Sequence, residues 1–140
     1  MEDQEIHKRL IERTRQEPYA RLLRMKVRKV SKGYSQVEMR FTPAMENIFG
    51  MAHGGALYSL MDEAFQTAGN SDGMVALALN VSVNYINSPE PGSLLLAEAK
   101  EIGLTRRTAT YAISVTDETG KVIATCQALA YRKDSPLPFL

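Results

Sequence analysis

Asn47, His53, the pair Gly54-Gly55 and Asp62 fall within one stretch of sixteen residues. Their types suit the activation of a carbonyl group. The glycine pair opens an apolar-periodic segment that reads as a helix. The first amides of a helix have no intrahelical acceptor, so they can hold negative charge developing on an oxygen. Glycine lets a substrate carbonyl come close to that backbone. Asn47 and His53 could add hydrogen bonds, and Asp62, about two turns into the helix, could serve as a base. A plain helix start would more often use Ser, Thr, Asp or Asn. Two glycines are a costly substitute, at roughly 1 kcal/mol each relative to Ala inside a helix.

Every one of these residues also has a purely structural reading. Asp62 lies on the shoulder of the apolar face, flanked by Tyr58, Phe65 and Gly69, where a solvated carboxylate would fit. Glu63 lies on the opposite shoulder and reads as solvated. His53 could satisfy the helix N-terminus, and Asn47 could close a turn. Asn80, Ser82 and Asn84 alternate along one strand and either line a pocket or face water. Thr105-Arg106-Arg107-Thr108 and Arg132-Lys133 are solvated cations or a hold for phosphate. Ser59 lacks the Gly-x-Ser-x-Gly setting of an exposed nucleophile. Cys126 lies inside a strand and reads as core. A single cysteine excludes an intrachain disulfide and argues against a cysteine zinc site. His7 is the only other histidine, so no metal site is expected.

The elements that must position these groups can be read from periodicity. Residues 4–16 carry a narrow apolar stripe of Ile6, Leu10 and Ile11 that Pro18 stops, and 19–23 read as a short turn. Strands are expected at 24–32 and 34–42, the second alternating at Val37, Met39 and Phe41. A loop at 43–53 leads to a helix from 54 to about 71, with Leu57, Leu60, Met61, Ala64, Phe65 and Ala68 on one face. Met74 to Leu79 is continuously apolar, as in a strand buried on both faces, and alternation follows to Tyr85. Further strands are expected at 93–103, 106–116 and 121–133, the last two joined by a hairpin at Asp117-Glu-Thr-Gly120. Two prolines should keep the 134–140 tail out of a strand interior. One helix set among runs of strands argues for an α+β fold with an antiparallel sheet.

The chain of 140 residues is expected to form a single domain, with 1–23 as its N-terminal helical segment. A formal net charge of +1 speaks against a nucleic-acid or anionic-membrane partner. The opening Met-Glu-Asp-Gln-Glu lacks the marks of a signal peptide, and no apolar run approaches the ~20 residues of a membrane span. A cytoplasmic protein is expected.

The pattern Asn47-x-x-Gly50-x-x-His53-Gly54-Gly55, with Asp62 nine residues after the histidine, resembles the PaaI-type hotdog thioesterases of phenylacetate degradation. Pro18-Tyr-Ala-Arg-Leu-Leu-Arg-Met25, Asn80-Val-Ser-Val-Asn-Tyr85-Ile-Asn-Ser-Pro89 and the hairpin with Asp117 and Gly120 extend the likeness along the chain. The resemblance implies a hotdog fold, a long central helix wrapped by a curved antiparallel sheet of about six strands. It implies an acyl-CoA thioesterase without metal or organic cofactor, coenzyme A being part of the substrate. It implies a homodimer or dimer of dimers, a homotetramer, with active sites at the chain interface. Gly54 would donate its N–H to the thioester oxygen, Asn47 would assist, His53 would orient the loop, and Asp62 would act across the interface as general base or nucleophile. Gly55, Phe49, Met51, Tyr58, Met61, Ser82 and Asn84 are the candidate substrate contacts, with Arg106 and Arg107 near the coenzyme A phosphates. Some members carry Ser or Thr where this chain has Ala78, with Ser82 the nearest hydroxyl along the strand. A non-catalytic acyl-CoA sensor and a hotdog dehydratase are the rival readings.

Overall fold

The apolar stretch after His53 becomes one long helix, α3, spanning Gly54–Gly69. In the computed structural model, which describes residues 1–140, it lies across a single six-stranded sheet. The strands are β1 (Lys26–Ser31), β2 (Tyr34–Arg40), β3 (Met74–Tyr85), β4 (Leu94–Leu104), β5 (Thr108–Thr116) and β6 (Val122–Pro136). Their order is β1-β2-β4-β5-β6-β3, and every neighbouring pair is antiparallel. The helix therefore carries the chain from one side of the sheet to the far edge. All six apolar positions of the α3 stripe are buried. They meet Val37 and Met39 of β2, Ala97 and Ala99 of β4, Tyr111 and Ile113 of β5, and Ala128 and Ala130 of β6 in one core. The alanines let the helix sit close to the strands, and bulges in β1, β3 and β4 help the sheet curve around it.

A polar tie fixes the helix along this surface. The fully buried Ser35 hydroxyl donates to the Ala64 carbonyl at 2.6 Å. Ser35→Ala is expected to lower stability by about 1 kcal/mol, the typical net value of one hydrogen bond, as read from urea midpoints.

The helix is also covered from the other side. Two further helices, α1 (Asp3–Gln16) and α2 (Pro18–Leu22), bury Ile6, Leu10, Thr14 and Ala20. Where a mere turn was expected after Pro18, the proline occupies the first helical position, for which its fixed φ is suited. Tyr19 and Ser59 share a hydrogen bond at 2.7 Å across this interface. As a result Glu63, expected to be solvated, is only 4% exposed.

Several boundaries differ from expectation, β1 and β2 by up to two residues at their outer ends. The helix ends at Gly69 rather than 71. β5 starts at Thr108 rather than 106, because Thr105 accepts the Arg107 and Thr108 amides and makes Arg106-Arg107 a turn. β6 runs on to Pro136, which pairs with Met74 at the strand end, where a missing N–H is tolerated. The largest difference is β3. Its apolar start suggested burial on both faces, yet it is an edge strand, with Leu77 50% and Leu79 59% exposed.

Candidate active site

The helix N-terminus is built around His53. Its side chain Nδ1 accepts the Gly55 amide at 2.9 Å, so His53 is the N-cap and the ring carries its proton on Nε2. The His53 carbonyl accepts the amides of Ala56 and Leu57. Only the Gly54 N–H is left without an acceptor in the chain. The two glycines have different reasons. A Cβ on Gly55 would come 3.1 Å from the capping His53 nitrogen. A Cβ on Gly54 would come 3.1 Å from the ring of Tyr85, whose hydroxyl donates to the Gly54 carbonyl at 3.1 Å.

Asn47 shapes the loop before the helix. Its Oδ1 accepts the Phe49 and Met51 amides at 2.8 and 3.1 Å, which leaves Nδ2 as its free donor. Asn47, Met51, Gly54, Leu57, Tyr85 and Ile86 line an open cavity of about 320 Å³. Phe49 points away from any core, 76% exposed.

Asp62 faces a second cavity, of about 180 Å³, between α3 and the start of β3. Phe65, Gln66, Gly69, Asn70, Ala76, Leu77 and Ala78 share its walls. Ala78 sits there just before the bulge in β3, so no strand hydroxyl faces Asp62. Solvent still reaches the Asp62 carboxyl over the open edge. Its proton affinity is nevertheless raised, first by partial burial and then by the charge of Glu17. Tyr58, one turn earlier, is raised by burial and by Asp62 in turn. Cys126, beneath the same region, is pushed up to about 11, chiefly by burial.

The structure thus gathers Gly54, Asn47, His53 and Met51 at one end of α3, and Asp62 and Tyr58 farther along it. Other expected contacts fall elsewhere. Met61 is 1% exposed and belongs to the core, not to a pocket wall. Ser82 and Asn84 alternate with the core-facing Val81 and Val83, so they point from the opposite face of the sheet into an open trough with Asn80, Thr125 and Gln127. Arg106 and Arg107 sit on the β4–β5 turn, paired with Asp134 at 3.1 Å and with the Tyr131 hydroxyl at 3.0 Å. Sequence reasoning missed Glu17 as a neighbour of Asp62, and only the packing of α2 on α3 reveals it.

Eight residues separate Gly54 from Asp62, which is about 12 Å at 1.5 Å per residue. One small reacting group cannot touch both within a single chain. The arrangement offers an oxyanion donor at one place and a base at another, beside an unpaired strand edge.

Comparison with known proteins finds similarity to thioesterases. The sequence profile of the thioesterase superfamily matches residues 49–124. A protein of Archaeoglobus fulgidus that carries an esterase name is 40% identical over 119 residues, covering 85% of this chain and 74% of that protein. The acyl-coenzyme A thioesterase PaaI of Escherichia coli K12 is 29% identical over 113 residues, 81% of each chain. The solved structure of the E. coli PaaI protein superposes with a TM-score of 0.91 over 96% of this chain and 97% of that one, at 25% identity. The TT0310 protein of Thermus thermophilus gives a TM-score of 0.80 at 36% identity, over 84% of this chain and 98% of that one.

Proposed function

The chain belongs to the thioesterase superfamily as a thioester hydrolase of the PaaI-type hotdog kind, and from that premise we propose that it cleaves acyl-CoA esters at sites shared by two copies. The observation that carries the reading is the Gly54 amide, the one helix-start N–H without an acceptor, on the same helix as Asp62 but about 12 Å from it. The substrate carbonyl oxygen accepts the Gly54 N–H, with the free Nδ2 of Asn47 as a second donor. A preorganised backbone donor of this kind is worth about 2.7–4 kcal/mol at the transition state. His53 acts on the loop, holding it by its cap. The partner's Asp62 takes a proton from water, whose oxygen bonds to the carbonyl carbon. The tetrahedral intermediate then expels the coenzyme A thiolate, which picks up the proton, leaving the free acid. If Asp62 instead attacks directly, a single turnover in heavy-oxygen water leaves the label in Asp62 rather than in the acid alone.

The open edge of β3 supports the sharing. Antiparallel pairing of two β3 edges about a two-fold axis places the Tyr85 end of one strand beside the Ala76–Ala78 end of the other. That brings the Gly54 end of one chain toward Asp62 of the next. It also covers Leu77 and Leu79, which stand exposed in the single chain.

The test uses two inactive variants. Gly54→Pro deletes the free N–H at a first helical position, where the fixed φ of proline suits and the preceding His53 is already extended (ψ 131°); the added Cβ, 3.1 Å from the exposed Tyr85 ring, requires only that ring to shift slightly. Asp62→Asn deletes the base. Each alone should fail to release coenzyme A thiol from a panel of short, long and aromatic acyl-CoA esters. After unfolding and refolding together, half the pairs are mixed and one of their two sites is intact, so about a quarter of wild-type activity should return. Mixed pairs without activity would place both groups of one site in one chain. Wild-type protein that binds the esters without releasing thiol would make it an acyl-CoA-binding module.

A further inference from the structure

Asp62 lacks a hydroxyl partner on the strand beside it, because Ala78 holds that place. On its own helix Gln66 lies four residues on, on the same face, and lines the same cavity. Gln66 is not free. Its Nε2 donates at 2.7 Å to Glu17 of the α1–α2 junction and at 2.7 Å to the buried Glu63. One amide therefore clamps two carboxyl groups. The other oxygen of Glu63 accepts no hydrogen bond from any N–H or hydroxyl group and is out of contact with solvent, so it is the place for a proton shared toward Glu17. Two carboxylates cannot both stay charged around one neutral amide, and the buried member is the one that keeps a proton. That leaves the negative charge on Glu17, held by Gln66 close to Asp62.

We propose that Glu17 is a positioning residue of the active site: latched by Gln66 to the protonated Glu63, it holds a fixed negative charge beside Asp62 and thereby sets the pH range in which Asp62 is a base. The inference rests on Asp62 being that base. The one cation bordering the cluster is Arg13, and it forms no salt bridge with Glu17, Asp62 or Glu63. On α3 it is faced by Tyr58, Asp62 and Glu63. α2 contributes Tyr19, which is bonded to Ser59. β6 contributes Cys126. The residues of β3 and of the C-terminal tail that line the adjoining groove, Val75, Ala76, Leu77, Leu137, Pro138 and Phe139, are uncharged. Arg13 of α1 borders the groove but lies 5.9 Å over the Phe139 ring. The raised proton affinity of Asp62, with Glu17 as its only charged cause, agrees with this geometry. The device also explains how a site without a strand hydroxyl keeps a strong base: the water meets a carboxylate made more basic by a like charge beside it.

The test is the pH profile of kcat/KM for coenzyme A release, measured on the full chain. Removing the charge in Glu17→Gln should move the acid limb to lower pH and reduce kcat on the plateau, as Asp62 becomes a weaker base, while KM changes little. Glu17→Ala should move the limb the same way. Carbon NMR titration of the Asp62 carboxyl in the same proteins should show a matching downward shift. A merely structural Glu17 would lower stability without moving the limb. An unmoved limb in both folded variants, with Asp62→Asn inactive, overturns the role of Glu17 and leaves Asp62 as base. Full turnover in Asp62→Asn overturns both.

Discussion

Asp62→Asn is expected to reduce coenzyme A release by at least about 10²-fold without lowering the melting temperature. The substitution keeps the size and hydrogen-bonding reach of the side chain and removes only its capacity to take a proton. Stability should not suffer, because Asp62 makes no hydrogen bond within the chain and solvent reaches it. The wild-type profile should carry the signature of this group. A base must be deprotonated, so activity falls as pH drops through the Asp62 pKa. Burial and Glu17 raise that pKa, so the limb should lie above the usual aspartate range of about 3.9. Near-normal turnover of the variant, measured by thiol release, would remove Asp62 from the chemistry.

Glu63 should leave an equally large mark on stability. Its proton affinity is pushed up from 4.5 to about 9, first by burial, then by the hydrogen bond and charge of Glu17, and last by Asp62. The unfolded chain releases this proton near 4.5, whereas the folded chain keeps it until about 9. Across that window the native state binds more protons than the unfolded one. The contribution of Glu63 is thus fully present below 4.5, declines through the window and is gone above about 9. The slope is at most about 1.4 kcal/mol per pH unit for one proton. Glu63→Gln puts a neutral amide where the neutral acid sat and removes this slope. Urea midpoints of the wild type should fall from mildly acidic to alkaline pH, and those of the variant should fall less, so that the variant is the more stable protein at pH 9. Parallel declines would show that Glu63 is ionised in the folded chain.

Much of this architecture is legible from residue spacing, for identifiable reasons. The α3 stripe is a pattern of side chains every three or four residues, and helix geometry alone turns it toward one surface. The alternation of Val81 and Val83 with Ser82 and Asn84 fixes which side of β3 meets the core. It also implies that Ser82 and Asn84 face away from Asp62, which the resemblance to known enzymes obscures. The apolar run Met74 to Leu79 misleads because a strand between two layers and an edge strand with exposed apolar side chains have the same composition. Glu63 is misplaced by a helical wheel, which knows only its own helix, whereas α1 and α2 return to cover that side. Glu17 carries no local signal. Its role depends on Pro18 starting α2 at the point that sets the residue before it against Gln66, a contact 49 positions away in sequence.

The unpaired edge of β3 has a consequence for when the enzyme can work. On the shared site proposed above, a lone chain, newly synthesised or highly diluted, would hold Gly54 and Asp62 too far apart to meet on one thioester and would leave coenzyme A esters untouched. Catalysis would then switch on with association. Specific activity should therefore drop as the protein is diluted in the assay, and the concentration at half-maximal activity is a direct measure of the dissociation constant of the pair.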